Sequence, residues 1–226
     1  MTNPLAPEWL DDSVDANALV PGIWADSVVR DGEGEITVGG VSASTLAHRF
    51  ATPLYVVDEN HARDRALRVR KAFDAAAERI GTSAKVYYAG KAFLCTEVVR
   101  WVVDAGLYVD VASGGELAVA LAAGIDPARI GFHGNNKSIA EIERSVAVGV
   151  GTIVVDSDWE IERVADAARS AGRRQRVRLR VNSGVHANTH DFLATAREDQ
   201  KFGIPIKDAP ALVAKIRAER HLKFIG

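Results

Sequence analysis

Apolar and polar positions fall into two rhythms along the chain, with a change at Pro53. Beyond it, short β-prone apolar runs alternate with longer helical stretches. The pattern predicts strands at 53–58 (P-L-Y-V-V-D), 84–89, 107–112, 129–134, 152–156, 177–182 and 222–225. Between them it predicts helices over about 60–80, 94–105, 115–123, 138–147, 158–171 and 207–219. Successive strands mostly begin about 20–30 residues apart, the rhythm of βαβ units around a parallel sheet. An α/β fold follows, and both the doubly wound sheet and the (β/α)8 barrel fit it.

Before Pro53 the rhythm differs. Residues 1–20 read as irregular and acidic. The runs 23–30 and 35–40 flank the Gly-containing turn D-G-E-G and predict a β-hairpin. Ser44 and Thr45 ahead of L-A-H-R-F predict a short capped helix over 44–50. About twenty residues, 183–204, separate the strand V-R-L-R-V-N from its helix. Loops of that length inside a domain are functional or disordered, and this one would lie at the carboxyl ends of the strands, where ligands bind. It holds His186, His190, Phe192 and Lys201.

Composition narrows the function classes. The chain has 226 residues, 47% hydrophobic and 26% charged, ordinary for a soluble globular protein with a sizeable core. A formal net charge of -2 argues against nucleic acid or an anionic membrane as partner. The single cysteine, Cys95, allows no intrachain disulfide, and at a helix start it reads as packing. The N-terminus shows no secretory signal, and no apolar run approaches the ~20 residues of a membrane span. The cytoplasm is the expected compartment.

Several residues interrupt the apolar pattern where chemistry could sit. Lys91, in V-Y-Y-A-G-K-A-F-L, lies just past the second strand of the α/β series, at the mouth of such a sheet. A desolvated lysine there could form a Schiff base, while a solvated strand end is the ordinary alternative. Asp110 interrupts L-Y-V-D-V-A and would need a partner, with Lys91 on the neighbouring strand or a turn near Ser113 as candidates. S-G-G-E-L (113–117) opens a helix, where Glu116 suits the helix dipole and the N-terminus could take an anion. H-G-N-N-K-S (133–138) is a polar cluster facing the mouth, with Ser138 placed to cap the next helix. Arg178 and Arg180 share one face of their strand, with Leu179 and Val181 on the other. His186 and His190 are four apart but lack H-E-x-x-H and clustered cysteines, so no metal site is expected. Neither G-x-G-x-x-G nor a Walker loop is present.

Taken in order, Y-A-G-K-A (88–92), V-D-V-A-S-G-G-E-L (109–117), H-G-N-N-K-S (133–138), V-V-D-S (154–157), R-V-N (180–182) and T-H-D-F…E-D-Q-K-F-G (189–203) resemble a known family. It is the alanine-racemase-like, fold-type III pyridoxal-phosphate decarboxylases. Y-A-x-K marks the superfamily; H-G-N-N-K-S with T-H-x-F…E-D-x-K-F-G points to the diaminopimelate branch rather than the ornithine or arginine ones. The resemblance covers the chain from about residue 20.

The resemblance implies a (β/α)8 barrel, here incomplete, preceded by the N-terminal hairpin segment. Residues 1–50 would be strands that pair with a C-terminal β-domain, and 51–226 a barrel domain cut at its seventh strand. It implies pyridoxal 5'-phosphate as cofactor, with Lys91 holding it covalently and Asp110, Glu116 and Arg180 at the cofactor site. It implies decarboxylation of meso-2,6-diaminopimelate to L-lysine and carbon dioxide by a homodimer. Family members are much longer. The histidine that stacks on the cofactor ring, the phosphate loop and the β-domain would all follow Gly226, so a chain of this extent is expected to be inactive alone. Three alternatives stand beside that reading: a single-domain, non-catalytic carrier of the cofactor, an ornithine or arginine decarboxylase, and a silent homologue that regulates a related enzyme.

Overall fold

The computed structural model describes residues 15, 17–182 and 202–226, and the chain forms two compact units, 1–65 and 66–226. In the first unit, β1 (Val28–Arg30), β2 (Ile36–Val38) and β3 (Val41–Ser42) form a three-stranded antiparallel sheet in chain order. The expected hairpin is therefore one strand larger, and it has a sheet of its own. The extra strand follows from V-G-G-V. Gly39 and Gly40 both have positive φ, +57° and +82°, which makes the two-residue turn that fits the twist of a hairpin. Helix α1 (Ala43–Phe50) is capped by Ser42, whose Oγ accepts from the Thr45 backbone at 3.2 Å, rather than by Ser44.

The strand expected at 53–58 does not form. Leu54, Tyr55, Val56 and Val57 are all exposed, and no ladder partner is found for them among the described residues. β-propensity reflects fit to a pleated, half-buried surface, and without a neighbouring strand it selects nothing. Asp58 instead caps the next helix, accepting from the His61 backbone at 3.0 Å and from the Ser27 hydroxyl. That helix is α2 (Glu59–Glu78).

The second unit is built on six parallel strands: β4 (Tyr87–Ala89), β5 (Tyr108–Val111), β6 (Ile130–Phe132), β7 (Thr152–Val155), β8 (Gln175–Leu179) and β11 (Leu222–Phe224). They number one fewer than expected, because 53–58 is not among them. Between them run α3 (Thr96–Asp104), α4 (Gly114–Ala122), α5 (Ile139–Val148), α6 (Asp158–Ser170) and α7 (Ala209–Ala218). A separate parallel pair, β9 (Val181–Asn182) with β10 (Ile204–Pro205), precedes α7.

Two observations decide between the architectures left open by the sequence. The sheet order is β11-β8-β7-β6-β5-β4, in chain sequence without reversal, whereas a doubly wound sheet reverses at a switch point. The helices also cover one face only. Val109, Val111, Ile130, Phe132, Ile153, Val155, Val177, Leu179 and Leu222 are buried and share one core with Val99, Leu117, Ile142, Ile161 and Ile216 from the helices. The alternate positions, Tyr108, Asp110, Gly131, His133, Arg176, Arg178 and Lys223, carry mostly polar side chains on the other face. This is a barrel-like wall with β4 and β11 at its edges. No helix among the described residues is long and apolar enough to cross a membrane.

Candidate functional site

Because the strands are parallel, their carboxyl ends collect on one rim, and every βα corner of the second unit opens there. Lys91 is on that rim. It sits in a one-turn 3-10 helix, Gly90–Ala92, that directly follows β4. Gly90 is buried and tightly enclosed: a Cβ there would meet the Asp110 carbonyl oxygen at 2.7 Å. Only glycine lets the turn pass this close to β5. Lys91 itself is exposed and makes no hydrogen bond or ion pair with a described residue. Desolvation therefore does not single it out; its position on the rim does. Cys95 is the N-cap position of α3, half-buried, with no side-chain cap bond.

Asp110 finds its partner in His133, not in Lys91. The parallel register sets Ala89 opposite Asp110 and Asp110 opposite Gly131, and His133 Nε2 lies 3.3 Å from Asp110 Oδ1. Gly131 makes this possible, because a Cβ on it would overlap the Asp110 carboxylate and lie 3.2 Å from the Tyr87 ring. Tyr87 packs against Tyr108 at 5.0 Å, and burial pushes its phenol pKa up. Gly131→Ala is expected to cost about 1–3 kcal/mol, as overpacking does, and to separate Asp110 from His133. A crystal structure of the variant in which His133 Nε2 and Asp110 Oδ1 lie well beyond 3.3 Å would show the separation.

The three corners after β5, β6 and β7 share one device. Ser113, Ser138 and Ser157 each accept from the backbone of a glutamate three residues on: Glu116, Glu141 and Glu160. Each glutamate then reaches back. Glu116 Oε2 accepts from the Ala112 backbone at 2.6 Å. Glu141 Oε2 accepts from Ser138, completing a capping box, while its Oε1 accepts from the Gly114 backbone of the preceding corner at 2.5 Å. Glu160 Oε2 accepts from the Asp156 backbone at 2.7 Å, and its Oε1 from Lys137 of the preceding corner at 2.6 Å. The S-x-x-E spacing repeated three times was the signal for this, and it was not drawn from the sequence.

These bonds hold the Glu141 carboxyl below its ordinary value, first through the Ser138 backbone and hydroxyl. A carboxylate with a lowered folded pKa contributes stability above its ordinary value of 4.5 and loses it as pH falls through the depressed value. Glu141→Gln is expected to remove that part of the acid limb and to cost about 1 kcal/mol at neutral pH. Unfolding in urea across pH 2–7, followed by circular dichroism, measures both.

Lys137 was expected to face the mouth, but it is buried. Its ammonium donates to the Gly134 carbonyl at 2.7 Å, the Val154 carbonyl at 2.7 Å and Glu160. Burial pushes its pKa down, and the Glu160 charge pulls the other way. Arg180 lies at the break between β8 and β9, with Nη1 3.6 Å from Asp156 Oδ1 and the guanidinium 4.9 Å from the centre of the Phe202 ring. Its backbone is tied on both sides, N–H to the Val155 carbonyl and carbonyl to the Ile204 N–H. The break ends the strand alternation, so Val181 is exposed instead of joining Leu179 in the core. Arg176 and Arg178 stand exposed on the face without helices. His186, His190, Phe192 and Lys201 lie outside the described residues.

The rim thus presents the exposed Lys91 amine, the Asp110 carboxylate 3.3 Å from His133, and a guanidinium at the far end of the row. A family model described as pyridoxal-dependent decarboxylase, pyridoxal binding domain, matches residues 66–226. The chain belongs to this family. Within it, diaminopimelate decarboxylase of Mycobacterium tuberculosis (strain ATCC 25618 / H37Rv) is 45% identical over 210 residues, 92% of this chain and 45% of the relative. The Mycobacterium leprae (strain TN) enzyme of the same name is 44% identical over 222 residues, 97% of this chain and 46% of the relative. A crystal structure of diaminopimelate decarboxylase from M. jannaschii in co-complex with L-lysine superposes with a TM-score of 0.80 at 29% identity, covering 89% of this chain and 47% of that one. The chain spans about half the length of the curated relatives it matches. Its match is to the N-terminal region of this fold-type III family.

Proposed function

We propose that this chain is the lysine-bearing part of a diaminopimelate decarboxylase, which releases carbon dioxide from meso-2,6-diaminopimelate and leaves L-lysine. The observation that carries the reading is Lys91: an exposed amine with no described partner, on the rim of a barrel-like wall, in a chain 45% identical to an enzyme of that name. The rim suits pyridoxal 5'-phosphate. An amine for its aldehyde, a carboxylate beside that amine's strand and a guanidinium for an anionic group are the donor set such a cofactor needs. When bound, the cofactor supplies an electron sink for the charge left when carbon dioxide departs.

The chain's own residues would act as follows. Lys91 would hold the cofactor through its side-chain amine, and its short turn would keep that amine at the rim. Asp110, fixed by His133 and seated over Gly131, supplies negative charge on the strand next to Lys91. Arg180, backed by Asp156 and Phe202, offers positive charge at the carboxyl end of β8. Glu116 belongs to the same site, its carboxylate holding the corner after β5 against the Ala112 backbone. Residues 51–226 would be the wall of a (β/α)8 barrel and residues 1–50 the strands that pair with a β-domain, in a cytoplasmic homodimer.

The discriminating assay offers meso-diaminopimelate, L-ornithine and L-arginine to the assembled, cofactor-loaded enzyme that contains this chain and measures carbon dioxide and product. Release from meso-diaminopimelate with formation of L-lysine is expected; faster turnover of ornithine or arginine would overturn the substrate assignment.

A further inference from the structure

Lys137, Glu160, Asp156 and Arg180 form one chain of charges across three consecutive βα corners. Lys137 comes from the corner after β6, Asp156 and Glu160 from the corner after β7, and Arg180 from the end of β8. Relative side-chain exposures are 1% for Lys137, 8% for Glu160 and 5% for Asp156, rising to 31% for Arg180. The chain therefore runs from the core to the rim and ends at a residue of the candidate site.

Helix capping does not require this chain. The corner after β5 is capped by Ser113, with Glu116 returning to the backbone, and it uses no buried cation. At the corner after β7, Ser157 and the Glu160 to Asp156 backbone bond already do that work. Burying the Lys137 ammonium and the Asp156 carboxylate as well is costly, and a well-packed apolar set is often as stable or more so. What the extra charges add is a fixed direction for the Asp156 carboxylate. Its backbone N–H is held by Glu160 Oε2, and Glu160 is held in turn by Lys137. With its backbone anchored, Asp156 directs Oδ2 to the Gly203 N–H at 3.1 Å and Oδ1 toward Arg180 at 3.6 Å. Gly203 is suited to that contact: its φ is +80°, and a Cβ there would lie 3.1 Å from the Arg180 carbonyl oxygen. The bond sets Phe202, the residue before it, where its ring backs the guanidinium.

We infer that Asp156, with Lys137 and Glu160 behind it, is the positioning residue for Arg180. The pair restrains a guanidinium that would otherwise sample many rotamers, so that it meets an anionic group already oriented. V-V-D-S thereby gains a role: its aspartate and the buried lysine of H-G-N-N-K-S serve the same arginine. The inference rests on the proposed function only for the use to which Arg180 is put.

Phenylglyoxal, which modifies accessible arginines, is the probe, with peptide mass spectrometry on the full chain reading the rate at each arginine. In Asp156→Asn, Arg180 is expected to react on the order of fivefold faster, the factor for losing an ion pair worth close to the upper end for surface pairs. Arg176 and Arg178, exposed on the same strand, are expected to keep their rates. Phe202→Leu, which leaves the buried charges in place, gives a second and smaller rise at Arg180 alone and guards against misfolding of the first variant. Unchanged Arg180 rates in both variants would overturn the inference, as would a parallel rise at Arg176 and Arg178, which marks general loosening. Adding pyridoxal phosphate to the unsubstituted chain separates the two claims. Protection of Arg180 is expected, and its absence would count against Arg180 as a cofactor residue without touching the Asp156 result.

Discussion

Lys137→Met is expected to lower the free energy of unfolding by about 3–5 kcal/mol, the cost of removing one partner of a buried ion pair. Lys137 is 4% exposed, and its ammonium satisfies three acceptors at once: the Gly134 and Val154 carbonyls and the Glu160 carboxylate. Methionine fills much of the volume but donates nothing, so the buried Glu160 loses its counter-charge and the Gly134 and Val154 carbonyls each lose a donor. Lys137→Met with Glu160→Leu should recover only part of the loss, because Glu160 also accepts from the Asp156 backbone. Denaturant unfolding of the two variants at pH 7 measures both effects.

The same pair carries a pH signature. Burial depresses the Lys137 pKa below its ordinary 10.5, so between the two values the unfolded chain keeps a proton that the folded chain has shed. Stability from this group therefore rises as pH climbs through that window and is flat below it. The rise should be present in the unsubstituted protein and missing in Lys137→Met.

Lys91→Ala is expected to cut decarboxylation in the assembled, cofactor-loaded enzyme by at least about a thousandfold, the scale seen when a covalent catalytic group is deleted. Its effect on stability should be small. Lys91 is exposed and makes no hydrogen bond or ion pair with a described residue, and exposed substitutions of that kind usually change stability by no more than about 0.5 kcal/mol. A silenced enzyme with an unchanged unfolding midpoint is the expected pair of results. A large fall in the midpoint would assign Lys91 a structural role instead.

Much of the wall was legible because its signal is local. β4 to β7 are short, mostly apolar runs, β8 alternates apolar and polar residues, and α4, α5 and α6 are marked by serine caps. Lys91 was placed correctly on the rim because Ala89 ends its strand and Gly90 can only turn. Residues 53–58 misled for the converse reason: P-L-Y-V-V-D has the composition of a strand, but pairing depends on a neighbour that local composition does not specify. The faces of the sheet were also hidden. Period 2 puts Arg178 and Arg180 together, yet only the sheet order and one-sided helices show that this face is not packed on a core.

The polar contacts at the site were the least legible. Asp110 meets His133 across a parallel register, and Lys137 meets Glu160 twenty-three positions later. Lys137 looked like a mouth residue because lysines are seldom buried, and nothing near it in sequence announces its counter-charge. The threefold S-x-x-E spacing was a local signal within reach; it would have marked Glu141 and Glu160 as caps and drawn attention to the lysine just ahead of Ser138.

The central claim is that Lys91 is the residue that takes the cofactor. Incubating the chain with pyridoxal phosphate, reducing with borohydride and mapping the modified peptide tests it most directly. A single major adduct on Lys91, absent from Lys91→Ala, is the expected result. An adduct centred on another lysine, with Lys91 unlabelled, would contradict it.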